Sequence, residues 1–473
     1  MALQKGLQNL LKVTPPIFKK RLERNLVLKC RRHVHSSCAL TAKLKDPPSV
    51  KKPPDGLPVF QYIGKQTKRV NKVFVWGNAA TGALGIPDFL DPPPRKHPRM
   101  QQSVPYCLQD FSQEARTASC GYGFTVLTSS KEKGKVWGTG VNTESQLGLQ
   151  KAVRSTHEGA RTVILDYVIA PAPVDLPLTN PQETQVLQVA CGRAHTLILT
   201  DGEGVFSLGN NAYGQCGRPV VENEEYRGSS QINRVRIEGK VKQMAAGLDH
   251  SLFLTEEGEV YSCGWGADGQ TGLGHYESEH RPTKLLGDME GEKITQVATF
   301  ADCCLAVSEK GELFGWGNSE YNQLASVTET TQVNVPRLLP FDYVGKAVQV
   351  AVGGTICAVL NDQGQVYVWG YGILGKGPNL EETPIPEQLP EALFGQNDFN
   401  PDVTVKEIKA GLNSFAAVTT SGDLYTWGVN KYGCLGLGHL NDQYFPWRVS
   451  LPGNVITVDC GVDHMVAVIK SLL

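Results

Sequence analysis

With 473 residues, the chain is too long for one compact core and long enough for two or three ordinary domains or one large repeat array. Its formal net charge of −1 hides an asymmetry: residues 1–45 carry eleven Lys/Arg and one acid, Glu23, which leaves the remainder acidic by about 11 charges. That acidity argues against a broad phosphate-binding surface, and with no run of 18 apolar residues a membrane-spanning helix is not expected.

The basic first 45 residues are expected to be a mitochondrial transit segment. Phe18, Leu22 and Leu26 recur every four residues, with Lys19, Lys20, Arg21 and Arg24 between them. On a helix this gives one apolar and one basic face, although Pro15-Pro16 interrupt the pattern. A basic tail that binds nucleic acid or acidic lipid is the alternative. An apolar region with a small-residue cleavage site is missing, which argues against secretion. Residues 46–70 are expected to be a linker, and the transit reading places the protein in the mitochondrial matrix or on the matrix face of the inner membrane.

From residue 71 onward the chain repeats. Glycine pairs stand 17 residues apart at Gly121/Gly138, Gly192/Gly209, Gly247/Gly264, Gly353/Gly370 and Gly411/Gly428, and Phe300/Gly317 keeps the spacing with Phe in the first place. Such a period means one supersecondary unit used again and again. In residues 281–317 the unit reads as four short strands: a Pro-containing edge strand at Arg281–Leu286, an alternating strand at Ile294–Thr299, and the hairpin Cys304–Ser308 with Glu312–Trp316. The longer intervals are read as inserts at 87–116, 149–181 and 375–401, either partner-binding or plain surface loops.

Two glycines lack a mate: Gly77 has no first half before it, and Gly461 has no second half after it. The residues after Gly461 and those from Val73 to Gly77 together make up the missing 17. The expected fold is therefore all-β, a seven-bladed propeller of four-stranded blades over residues 71–473, closed by pairing of the N- and C-terminal strands. Closure removes two open sheet edges.

Twelve cysteines show no metal-ligand spacing and recur at repeat positions, so they are read as buried thiols. Trp76, Trp137, Trp316, Trp369 and Trp427 are likewise assigned to one core position. No Ser-His-Asp order, P-loop or dinucleotide fingerprint is present, so an enzyme is not expected, and neither is a cofactor.

The phrases Cys191-Gly-Arg-Ala-His-Thr-Leu-Ile-Leu-Thr200 and Gly317-Asn-Ser-Glu-Tyr-Asn-Gln-Leu324 carry a resemblance to the regulator-of-chromosome-condensation repeat family, nearest to its mitochondrial branch. The resemblance implies a guanine-nucleotide exchange factor that docks one propeller face on a nucleotide-free GTPase. In that family's Gly-x-Asp-His motif the Asp-His pair lies at the rim of one face. The matching residues here are Asp249, His250, Asp463 and His464, with partial matches at Arg193, His195 and Asp302. A role for the histidines in shaping the turns is the competing reading. The implied partner is a mitochondrial GTPase, specifically the dynamin-like GTPase of inner-membrane fusion, with peripheral contact to that membrane. The alternative is a scaffold for large-subunit assembly of the mitochondrial ribosome, held with ribosomal RNA and its modifying enzymes through protein partners or a local patch such as Lys131–Lys135 or Arg218. DNA is not an expected partner.

Overall fold

The short apolar segments pair as seven four-stranded antiparallel sheets plus one two-stranded hairpin. The computed structural model describes residues 70–471 apart from 95, 110, 112–114, 157 and 158; the expected transit segment and residues 46–69 lie outside the described residues. Blade 1 consists of Ala115–Cys120, Phe124–Ser129, Val136–Val141 and Tyr167–Val174, from the innermost strand outward. Blades 2 to 6 repeat this order, with innermost strands at Val186–Cys191, Val241–Ala246, Ile294–Thr299, Ala347–Val352 and Val405–Ala410. Blade 7 takes its two inner strands, Gly453–Cys460 and His464–Ser471, from the end of the chain and its two outer strands, Asn71–Asn78 and Gln101–Cys107, from the beginning. Each innermost strand packs on the next around the ring, and that of blade 7 packs on that of blade 1.

Position within a blade dictates the burial pattern. Second strands such as His250–Thr255 and Ser414–Thr419 are buried at every residue, because sheets cover both of their faces. They therefore read as continuous apolar runs. Innermost strands are buried only in part and do not keep the alternation expected of them: in Ile294–Thr299 only Ile294 and Val297 are buried, and a register shift between Ile294 and Gln296 interrupts the pleat. Trp76, Trp316, Trp369 and Trp427 are wholly buried between blades. Three of their indole N–H groups donate to carbonyls of the preceding blade: Trp76 to Cys434 at 2.8 Å, Trp316 to Gln270 at 3.0 Å and Trp369 to Gln323 at 2.9 Å.

The ring closes where the orphan glycines meet. Asn71–Gly77 pair antiparallel with Lys470–His464, and Gly77 faces His464 just as Gly209 faces His195. The two glycine positions have different physical reasons. The second glycine ends the third strand at positive φ, for example +109° at Gly77 and +113° at Gly264, a conformation L side chains rarely adopt. The first glycine lies against the neighbouring blade: a Cβ on Gly121 would sit 2.8 Å from the Gly192 carbonyl, and one on Gly192 would sit 2.7 Å from the Gly247 carbonyl.

Three expectations need correction. In blade 1 the hairpin is two residues longer than in blade 2, so Gly140, not Gly138, faces Phe124 and carries the positive φ of +109°. Thr139 then holds the tryptophan position, and Trp137 is a half-buried residue packed edge-on against Phe111 at 5.3 Å. The repeat unit is also out of phase by one strand: Glu279–Lys284 pairs with Val260–Gly264 and belongs to the preceding blade. Finally, the three inserts include outermost strands, at Gln101–Cys107, Tyr167–Val174 and Glu382–Gln388. What they add is smaller: the one-turn helix Pro87–Leu90, the hairpin Lys151–Thr156 with Gly159–Ile164, and residues 395–404 after the one-turn helix Glu391–Phe394, a helix that blades 3 and 4 also have at Gly287–Met289 and Asp342–Val344.

Neighbouring blades are tied by a ladder of side-chain amides. Gln188, Gln243, Gln296 and Gln349 occupy one position on the innermost strands of blades 2 to 5. Each accepts from an N–H of the next innermost strand and donates to its C=O, at Met244 (2.8 and 2.8 Å), Val297 (3.1 and 3.0 Å), Val350 (2.8 and 3.1 Å) and Ile408 (3.0 and 3.0 Å). Blade 6 has Glu407 there, which accepts the Thr457 hydroxyl at 3.0 Å instead. Burial raises its pKa, opposed by nearby Lys409.

Two outcomes are expected. Removing residues 466–473 strips the blade 7 ladder and should convert a cooperatively unfolding protein into an aggregating one in a sizing column and a urea titration; a monomer that still unfolds in one transition would contradict the closure. Gln296→Leu leaves the Val350 amide and carbonyl without their side-chain partner and should cost about 2 kcal/mol of unfolding free energy, measured by urea denaturation.

Candidate functional site

Strand register puts all seven candidate residues at one end of the ring. His195, His250 and His464 begin second strands and face the glycines that end third strands. The turns between first and second strands therefore share this face with the segments joining third to fourth strands. Lys131–Lys135 lie in a hairpin between second and third strands, at the opposite end. Arg218 is not a free cation: its side chain is 11% exposed and pairs with Glu224 at 2.6 Å.

The three histidines turn inward. Each is buried, and each Nε2 lies against the next blade: His195 on the Ser251 hydroxyl at 3.0 Å, His464 on the Thr125 hydroxyl at 2.9 Å, and His250 on the Cys304 thiol and the Thr299 hydroxyl at 3.2 Å each. Ser251 and Thr125 in turn donate to carbonyls of the blade the histidine came from, at Gln215 (2.7 Å) and Ala83 (2.8 Å). The result is a latch between blades, made through side chains rather than through a backbone carbonyl. Burial drives the pKa of His195 and of His250 down to about 3, so both rings are neutral near pH 7.

The charged candidates form an arc over blades 2 to 4. Arg193 leaves the turn of blade 2 and forks onto Asp249 in the turn of blade 3; its Nε donates to Oδ1 at 3.2 Å, and a second nitrogen pairs with Oδ2. Such a fork suits the planar guanidinium. Asp302, at the matching place in blade 4, accepts from Gln270 Nε2 at 3.0 Å. Burial and then the Asp268 charge raise its pKa to about 7, while the Gln270 bond opposes them. Burial also pushes Asp249 up, against the pull of Arg193. Asp463 stands apart in blade 7 and accepts from Asn78 at 2.7 Å; burial works to raise its pKa, and His464, Asn78 and Lys431 outweigh it and hold it low.

Sequence reasoning missed two aromatic members of the same mouth. Tyr122 of blade 1 and Phe300 of blade 4 stack across the channel, with centroids 5.8 Å apart and planes 28° from parallel. The Tyr122 hydroxyl is buried without a hydrogen-bond partner, and burial followed by the Asp302 charge pushes its pKa far up. Phe300 was visible as the one first position that is not glycine. Tyr122 carried no such signal, because blades 1 and 4 are distant in sequence. The mouth thus offers acidic side chains held in place, a guanidinium paired with Asp249 and an aromatic floor, which together suit cationic and hydrogen-bonding groups of a partner. Among the described residues no group of three or more His, Cys, Asp or Glu is placed to hold a metal.

Acid titration should separate these groups. The folded-state pKa of His195 lies below its unfolded value, so stability should fall as pH drops from about 6.5 toward 3, by up to ~1.4 kcal/mol per pH unit for one such proton. Asp302 has the opposite sign: its folded pKa lies above its unfolded value, so it costs stability as pH rises from about 4 to 7. In urea unfolding at a series of pH values, His195→Gln should flatten the acid limb, and Asp302→Asn should gain on the parent protein as pH rises through that window.

The comparisons with known proteins agree with the propeller fold. Residues 72–467 match the family model described as RCC1-like domain. The chain is 57% identical over 426 residues to the human RCC1-like G exchanging factor-like protein, covering 88% of this chain and 90% of that one. The crystal structure of human WBSCR16 superposes with a TM-score of 0.79 at 58% identity, covering 86% of this chain and all of that one. Prp20p of Saccharomyces cerevisiae shares the fold at a TM-score of 0.66 and 22% identity, over 86% of this chain and 93% of its own. The chain belongs to the RCC1-like domain family.

Proposed function

We propose that the protein is a non-catalytic guanine-nucleotide exchange factor that receives a GTPase on the face holding Arg193, Asp249, Asp302 and Asp463. The observation that carries this reading is the arc of fixed charge at the channel mouth, in a chain similar along most of its length to a protein named as a G exchanging factor. An exchange factor needs no bond chemistry of its own. It binds the nucleotide-free GTPase more tightly than the loaded one, and so shifts the equilibrium toward release. Carboxylates such as Asp302 and Asp249 can compete with phosphate for the lysine of a P-loop, and an occupied mouth displaces the loops that hold Mg²⁺. Prior ordering by Gln270 and Arg193 lowers the entropic cost of that contact. We further propose that the GTPase is mitochondrial and dynamin-like, in keeping with the basic, amphipathic first 45 residues, and that the protein works in the matrix or on the matrix face of the inner membrane.

The test is the release of a fluorescent guanine nucleotide from a panel of purified GTPases that includes the dynamin-like one. Catalytic amounts of the protein should accelerate release from its partner. Arg193→Ala and Asp302→Ala should each reduce that acceleration by about tenfold, equivalent to ~1.4 kcal/mol, with melting temperatures reported alongside. A panel in which no GTPase responds would sink the exchange reading.

A further inference from the structure

Phe399 is 94% exposed, yet the loop that carries it is built rather than loose. It follows the one-turn helix Glu391–Phe394, whose Phe394 packs edge-on against Tyr425 at 5.8 Å and Trp427 at 5.9 Å. The Asn397 side chain accepts from the N–H groups of Phe399 (2.9 Å) and Asn400 (3.1 Å). The Asn400 N–H donates to the Asn397 carbonyl at 3.0 Å, and Gln396 donates to the Pro401 carbonyl at 2.9 Å. These bonds hold an aromatic ring in water without gain to the fold, since nothing buries it.

Exposed apolar residues also stand on the outermost strands of blades 5 and 6, the second of which packs against the helix before this loop. At Gly395, where the loop begins, a Cβ would sit 2.7 Å from the Tyr425 hydroxyl. Tyr425 faces Arg448 on the outermost strand of blade 6, next to Trp447, which is 59% exposed. Ile385, 46% exposed, lies on the outermost strand of blade 5. Single exposed apolar residues are ordinary, but a group of large ones on one edge marks a contact surface.

Charge states what the contact must be. Between Lys376 and Lys406 there is no Lys or Arg; of the six acids there, Glu381 and Glu382 lie at the channel-mouth end of the outermost strand, which leaves Glu387, Glu391, Asp398 and Asp402 toward the Phe399 end. Two cations of these blades are held in ion pairs, Lys376 with Glu387 and Arg448 with Asp423, and Lys406, on the innermost strand of blade 6, donates to the Val455 carbonyl. Nucleic acid and anionic lipid would be repelled, and a second copy of the chain would bring the same acids. We propose that this edge of blades 5 and 6 docks a basic, amphipathic segment of a partner protein, with Phe399 as the central anchor. Aromatic anchors ringed by complementary charge are the usual core of such contacts. The loop joins an outermost strand to the next innermost one, so it lies at the end of the ring opposite the channel mouth. Both surfaces can be occupied together, and the proposal stands whether or not the exchange reading does.

The experiment is selection of a random phage-displayed peptide library on the full-length protein, followed by titration of the labelled consensus peptide. Expected are sequences with Lys or Arg around an aliphatic or aromatic residue. Affinity should drop at least about tenfold in Phe399→Ala and become less salt-sensitive in Asp398→Asn/Asp402→Asn, with melting temperatures unchanged. Selected peptides that are neutral or acidic, or binding that survives Phe399→Ala, would overturn the proposal. So would a dimer in sedimentation that Phe399→Ala converts to a monomer, because the surface would then belong to a second copy.

Discussion

The ladder between Asn71–Gly77 and His464–Lys470 is the contact on which the rest depends. A four-stranded sheet of this size cannot bury both of its faces, so each blade is stable only between two neighbours. In an open array the two end blades would each lack one. Pairing the ends of the chain inside a single blade gives every blade two neighbours and leaves no terminal sheet face uncovered. The price is long-range: the joint links residues about 390 positions apart in the chain, and nothing local can form it.

Given closure, the joints between blades become the organising feature. At the channel mouth the glycines let backbone approach backbone, and further out the glutamine amides, histidine rings and indole N–H groups reach from one blade to the next. The candidate site is the same machinery where its chemistry changes. Asp249 and Asp302 sit in turns that elsewhere hold Gly123, Thr355 and Asn413, and Arg193 adds an ion pair to the joint between blades 2 and 3. Phe300 replaces a glycine that gives room, and its ring closes the mouth against Tyr122. The charges there lie on a rigid support, which is what a surface needs if binding energy is to be used on a partner rather than on ordering itself.

Much of this was legible because the period is strict. Strand count, blade count and the seam followed from glycine spacing, since a residue that must take positive φ or pack against backbone leaves a mark no other residue can leave. The reading failed where spacing and role part company. Gly138 lies 17 residues after Gly121, but two extra residues in the hairpin hand its role to Gly140 and remove Trp137 from the core position. The histidines were read both as rim residues and as turn-shaping ones; burial at or near zero exposure and bonds to Ser251, Cys304 and Thr125 place them inside the joints.

The amino-acid sequence by itself determined the repeat, the strands within it, the number of blades and the place where the ring closes. These depend on local requirements of φ, pleat and turn, and those are written at fixed intervals along the chain. Tertiary structure alone decided which polar residues meet. Arg193 finds Asp249, Gln270 finds Asp302, and Tyr122 finds Phe300 across the channel, because residues in different blades are brought together only by the angle at which sheets pack around the ring. It also decided that Phe399 stands in water while neighbouring Phe394 is buried, a difference set by which side of a five-residue step faces blade 6.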